Sequence, residues 1–157
     1  VEGVRRAGRD DLPLVAALVA AARAERRGER GEAVAARLHP PHHIEASALD
    51  DVDRCVLIGT YDEVVFGVAY LATVTTLDGG TFAELLELYV EPQARGVGVG
   101  DALMHAALAW ARERGCDGID ASVLPGDREG KNFFERFGLV ARAILVHRSL
   151  VDGVDPA

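Results

Sequence analysis

Lysine is almost missing from this chain. Sixteen of its seventeen Lys and Arg residues are arginine, and Lys131 stands alone. With alanine, glycine and valine so abundant, that bias reads as genome composition and carries no function. Cysteine is scarce too: Cys55 and Cys116 lie sixty-one residues apart, each inside an apolar stretch. That suits reduced, buried thiols and argues against a disulfide framework or a thiolate metal site. No apolar run approaches the ~18 residues of a membrane span; the longest, Leu14 to Ala22, is short and alanine-rich. No charged-then-apolar leader opens the chain, so a cytoplasmic address is the default expectation. Internal repeats and linker-like tracts are absent as well. The 157 residues suffice for one full core. A single domain over 1–157 is expected, ordered over about 4–150, with a frayed tail of seven residues.

Positive charge is also in deficit. The net charge of −8 argues against a nucleic-acid backbone or an anionic membrane as partner. Between Glu45 and Glu91 there are ten acids and one base, Arg54, whereas Val1 to Gly31 carries seven arginines against five acids. The acidic stretch is either a solvated face or a mouth that attracts cations.

What is present reads as a mixed α/β chain. Val4 to Ala7 is a short extended opening, and Gly8 to Pro13 a helix start with acids in its first turn. Leu14, Leu18 and Ala21/Ala22 recur at helical spacing as a buried stripe, which Arg26-Arg27-Gly28 ends. Short helices are expected over 32–38 and 44–49. Between them lies His39-Pro40-Pro41-His42-His43, where two prolines deny the histidines regular spacing and no metal is expected. Strands follow at 54–60, 64–75 and 81–90, joined by short turns and therefore antiparallel. Next come a helix over 101–114 with Leu103, Ala107, Trp110 and Ala111 on one face, a strand over 118–124, a helix over 127–137 and a final strand over 139–150.

The chemistry concentrates between Leu88 and Met104, where a strand, a glycine-rich turn and a helix N-terminus follow one another. Glycine lets a backbone approach a ligand closely. First-turn amides have no intrahelical partner and point outward beside the positive end of the helix dipole. Together these make a receptacle for phosphate. A P-loop needs Gly-Lys-Ser/Thr, which is absent. A dinucleotide turn needs Gly-x-Gly-x-x-Gly, whereas the glycines here stand at 96, 98 and 100, and Asp117 and Asp120 only mimic its ribose acid. Fifty-seven residues remain after Gly100, too few for a doubly wound sheet.

The segment resembles motif A of the GNAT family of acyl-CoA-dependent N-acyltransferases, Arg/Gln-x-x-Gly-x-Gly/Ala, at Arg95, Gly98 and Gly100. Asp127 through Leu139 is similar to the family's later motif, Asn-x-x-Ala-x-x-Phe-Tyr-Glu-x-x-Gly-Phe, at Phe133, Glu135 and Gly138. The likeness covers 4–150. It implies a single-domain, mostly antiparallel sheet flanked by helices and splayed at its central strand. It implies acetyl-CoA as cosubstrate, with no metal. Gly96, Val97, Gly98, Val99, Gly100 and Asp101 would surround its pyrophosphate, with Arg95 adding a charge-assisted contact. Leu88, Tyr89 and Val90 would flank the pantetheine arm, and a backbone amide near Tyr89 or Val90 would polarise the acyl carbonyl. Asp127, Gly130, Phe133 and Phe134 would complete the coenzyme side.

An acceptor amine with a pKa of about 10.4 must still lose a proton before attack. Glu84 and Glu87 are the candidate bases. Glu84 stands eleven residues before Arg95 in a Phe82-Ala83-Glu84 triplet, as the base does in the family's histone-acetyltransferase branch. Strand alternation puts the two carboxylates on opposite faces unless a bulge intervenes. Position 134, a tyrosine in the family that protonates the departing thiolate, is Phe134 here, and Tyr61, Tyr70 and Tyr89 remain as acids. The expected activity is acetyl transfer to a primary amine of a cationic small molecule or peptide, by direct attack in a ternary complex. The alternative is a silent acyl-CoA-binding module, and either form is compatible with a homodimer.

Overall fold

A computed structural model of the chain describes residues 1–151 and 153. Five strands, β1 (Glu2–Arg6), β2 (Arg54–Tyr61), β3 (Val64–Thr75), β4 (Thr81–Val90) and β5 (Gly118–Ala121), form one sheet in that order. The first four run antiparallel and β5 joins β4 in parallel. The helices are α1 (Leu12–Arg26), α2 (Glu32–Leu38), α3 (Ala46–Asp50), α4 (Val99–Glu113) and α5 (Arg128–Arg136). This is the single-domain, helix-flanked mixed sheet expected from the sequence. No helix among the described residues is long and apolar enough to cross a membrane.

Alternation along the strands gives the sheet two apolar faces. On one, Val99, Leu103, Met104, Ala107, Trp110 and Ala111 of α4 bury against Leu57, Ala69, Leu71 and Leu85. A pair of cross-strand glycines, Gly59 and Gly67, leaves the groove in which α4 sits. A Cβ at Gly59 would come within 2.8 Å of Val99 Cγ1, and one at Gly67 within 2.9 Å of Leu103 Cδ1 and 3.0 Å of the Tyr89 carbonyl oxygen. Gly67→Ala therefore overpacks a rigid site and should cost about 1–3 kcal/mol. A thermal melt checks it; an unchanged midpoint would mean that α4 does not rest there.

On the other face, Val15, Leu18, Val19 and Ala22 of α1 meet Val56, Ile58, Val68 and Tyr70. The expected stripe began at Leu14, which instead points outward. The true stripe is i, i+3, i+4, i+7 from Val15. Ahead of α1, Asp11 accepts from Arg5 at 2.6 and 2.7 Å and from the Gly8 amide at 2.7 Å. The Arg5 guanidinium, then that amide, hold the Asp11 carboxyl at about 2. A depressed carboxylate stabilises the fold above its ordinary pKa, near 3.8, and loses that contribution as pH falls through about 2. Asp11→Asn should remove this acid-limb component from melting curves taken between those two values.

Three other expectations need correction. The strand expected over 139–150 does not form. Val140, Ile144, Leu145, Val146 and Leu150 are exposed, and no backbone hydrogen bond ties 140–150 to another described segment. A β-branched run becomes a strand only where a partner edge meets it, and β5 offers just four residues. What anchors the segment is Arg142, whose Nε donates to both oxygens of Asp120 at 2.9 and 3.0 Å. β5 stops at Ala121 instead of Leu124, because β4 diverges from it. Cys116 is only half-buried, although both cysteines are free as expected. Of the tail expected to fray, residues 152 and 154–157 lie outside those described.

Candidate active site

β4 carries the candidate site, and its pairing is one-sided along the residues that the sequence singled out. It pairs with β3 along its length, from Thr81 to Val90, but with β5 only over Phe82–Leu85. Beyond Leu85 the two parallel strands part, and the second backbone edge of β4 over 86–90 is free of β5. This is the splay that the family resemblance implied, and Leu88, Tyr89 and Val90 all lie along it.

The parting coincides with an irregularity. Tyr70 faces Glu87 and Leu71 faces Leu85, so Leu86 is the extra residue of a bulge. Simple alternation had put Glu84 and Glu87 on opposite faces. The bulge corrects this and turns both toward the α1 side: Leu85, Leu88 and Val90 pack on the α4 side, Leu86 and Tyr89 on the α1 side. The two carboxylates differ sharply in environment. Glu87 is 5% exposed and the one buried charged residue among those described. Its Oε1 accepts from Arg26, the last residue of α1. Glu84 is exposed and makes no hydrogen bond or ion pair with a described residue. Beside it on β5 stands Asp120, its cross-strand partner.

The end of β4 runs into the glycine turn. Gly96 and Gly98 adopt φ of 81° and 93°, a left-handed backbone that side chains oppose. Gly98 is the N-cap of α4, which begins two residues earlier than expected. The Ala102 amide donates to the Gly98 carbonyl at 2.9 Å, so the amides of Val99, Gly100 and Asp101 precede the first helical bond. Nothing lies within 4 Å of a Cβ built on Gly96. Gly100 is closed in: its Cβ would sit 3.4 Å from the Phe133 ring and 3.7 Å from Val90 Cγ2. α5 therefore packs against the turn, helped by Arg136 donating to Asp101 at 3.1 Å.

Arg95 is already engaged. Its Nε donates to the Val90 carbonyl at 2.9 Å, its two terminal nitrogens reach the two Glu25 oxygens at 2.8 Å, and its Cζ lies 5.7 Å from the Tyr89 ring centre. Arg95 holds the Glu25 carboxyl below its ordinary range. Burial, then the Glu25 charge, pushes the Tyr89 phenol up. Asp127 accepts from the Gly130 amide at 2.7 Å and so caps α5. Phe134 packs on the α4 side with Phe133, whereas the Tyr89 and Tyr70 rings lie on the α1 side. Tyr70 accepts from Arg54 at 2.6 Å, and Tyr61 sits at the β2–β3 turn. Of the three, Tyr89 is the one on β4 itself, with its ring against Arg95.

Sequence reading missed Glu25, Arg26 and Arg142, because each acts on a residue far along the chain. It also missed a 280 Å³ open recess on the α1 side, lined by His43, Glu45, Asp51, Arg54 and Tyr70. His42 meets the Tyr70 ring edge-on at 6.0 Å. No three metal-ligating side chains converge among the described residues.

Comparison with known proteins adds a family to this geometry. A model described as "Acetyltransferase (GNAT) family" matches residues 15–139. An uncharacterized N-acetyltransferase of Methanocaldococcus jannaschii is 26% identical over 72 residues, covering 46% of this chain and 32% of that protein. The chain thus spans about a third of that curated relative's length. A crystal structure of a mutant protein from Bacillus halodurans is similar with a TM-score of 0.80 at 21% identity, over 95% of this chain and 99% of that one. An aminoglycoside acetyltransferase from an uncultured soil metagenomic sample, in complex with sisomicin, gives 0.67 at 17% identity over 96% and 95%. AAC(6')-Iy, in complex with the bisubstrate analog CoA-S-monomethyl-acetylneamine, gives 0.70 at 18% over 96% and 99%.

Proposed function

The chain belongs to the GNAT acetyltransferase family, and from that premise we propose that residues 1–157 act as one N-acetyltransferase domain, moving an acetyl group from acetyl-CoA to a primary amine. One observation carries the reading: the free edge of β4 opens directly onto a glycine-rich helix N-terminus, so an amide ladder and a phosphate receptacle lie end to end.

Acetyl-CoA supplies the activated acyl group when bound, and the chain supplies the rest. The Val99, Gly100 and Asp101 amides, beside the positive end of α4, would hold a pyrophosphate. The Leu88–Val90 edge would pair with the pantetheine arm, and a free amide there would donate to the acyl oxygen as negative charge develops. Phe133 closes the turn from above. Asp127 and Gly130 serve this side by starting α5, and Phe134 contributes apolar wall.

Glu84 is the base we assign. An ammonium at pH 7 is neutral in about one molecule in 10³–10⁴, a deficit of roughly 4–5 kcal/mol. An exposed carboxylate without an ion-pair partner can take that proton through water. Glu87 cannot do so while Arg26 holds it in the interior. Glu84 on β4 and Glu45 of the recess make no ion pair with a described residue and favour a cationic acceptor, whereas Asp120 and Asp51 are already paired with Arg142 and Arg54. With no cysteine at the turn, the amine would attack directly in a ternary complex.

Phe134 favours one second reading, a module that binds acetyl-CoA without turnover. Phe134→Tyr separates the two. If the thiolate leaves unassisted, the rate should change by less than about threefold, well below the 10²–10⁴ of a positioned acid. Appearance of activity in an otherwise silent protein would favour the binding module instead. Steady-state rates from pH 6 to about 10 distinguish these outcomes.

A further inference from the structure

Arg95 opens the glycine-rich turn, yet its guanidinium folds back along the surface onto the end of β4 and the last turn of α1. Of its five N–H groups, one goes to the Val90 carbonyl at 2.9 Å and at least two go to Glu25 at 2.8 Å. The Tyr89 ring lies beneath it. Glu25 is fixed in turn, because the next residue, Arg26, is bound to buried Glu87. The last turn of α1 is thus fastened to β4 at two points, and one of them holds the residue directly before Gly96. The two left-handed glycines that follow are conformationally loose by nature.

We infer that Glu25 is a positioning residue: through Arg95 it holds the glycine turn and the Val90 end of β4 in binding geometry, so that Arg95 is a brace and not a phosphate ligand. This rests on the reading of the turn as the coenzyme site. A bidentate arginine–carboxylate pair is rigid as well as strong. Pre-ordering the turn removes an entropic cost that binding would otherwise meet. Arg95 spends its charge on Glu25, which leaves the dipole of α4 and the turn amides to meet the anion.

The test is titration of acetyl-CoA into the wild type, Glu25→Gln, Arg95→Gln and the double variant, with backbone amide NMR order parameters of Gly96 to Gly98 in the ligand-free proteins. Each single variant should weaken binding about tenfold, or about 1.4 kcal/mol, and the double variant should be no worse than either. Order parameters at Gly96 to Gly98 should fall in all three. Additive losses of about a hundredfold, or a loss confined to Arg95→Gln, would make Arg95 a direct ligand and overturn the inference. So would unchanged order parameters in the turn. A merely structural ion pair would lower order parameters at the end of α1 and leave affinity intact, which also overturns it. If the wild type fails to bind acetyl-CoA, the coenzyme reading falls, while the order parameters of the turn still decide whether the brace exists.

Discussion

Glu84→Gln should lower turnover by about 10²-fold or more at pH 7, with acetyl-CoA affinity unchanged. The amide is the same size, so packing is preserved and only the proton acceptor is lost. The deficit should shrink as pH rises, because the amine then deprotonates itself. Glu87→Gln should behave differently. It weakens a buried charged hydrogen bond between β4 and α1, a loss of about 1.5–3 kcal/mol in stability, and any loss of rate should persist at high pH. Steady-state rates of both variants across pH, set beside their melting curves, test the assignment. A pH-recoverable loss in Glu87→Gln with none in Glu84→Gln would reverse it.

Gly98→Glu should abolish coenzyme binding, by more than about 10²-fold. The residue sits at φ 93°, where any side chain is strained, and its Cβ would emerge 3.4 Å from the Glu2 side chain. A carboxylate there brings negative charge to the place where phosphates would meet the α4 amides. The turn lies at the surface end of α4, so the fold should survive with a modest loss of stability. Calorimetric titration of the folded variant checks this. Unchanged acetyl-CoA affinity would show that the turn is not the phosphate site.

How much of this was legible in the sequence depended on range. The glycine turn could be read because its determinants are local: left-handed glycines and the α4 N-terminus lie within a few residues. The cap that Asp127 places on α5 is equally local, its oxygen meeting the amide of Gly130 three residues on. The relation of Glu84 to Glu87 could not be read, since a period of two cannot register one extra residue, Leu86, whose bulge appears only against β3. The 139–150 run shows the opposite error. Its composition favours a strand, but a strand needs an edge, and composition says nothing about how short β5 is. Glu25 and Arg26 were invisible because their partners lie 70 and 61 residues away, and no spacing rule links a helix end to a distant strand.

The most direct test of acetyl transfer is release of the free coenzyme A thiol from acetyl-CoA, measured with and without a panel of primary amines that includes polyamines, aminoglycosides and amino-terminal peptides. The expected result is release that depends on both acetyl-CoA and an amine, with cationic amines preferred and the acetylated amine recovered as product. Saturable binding of acetyl-CoA with no amine-dependent release from any member of the panel would contradict it.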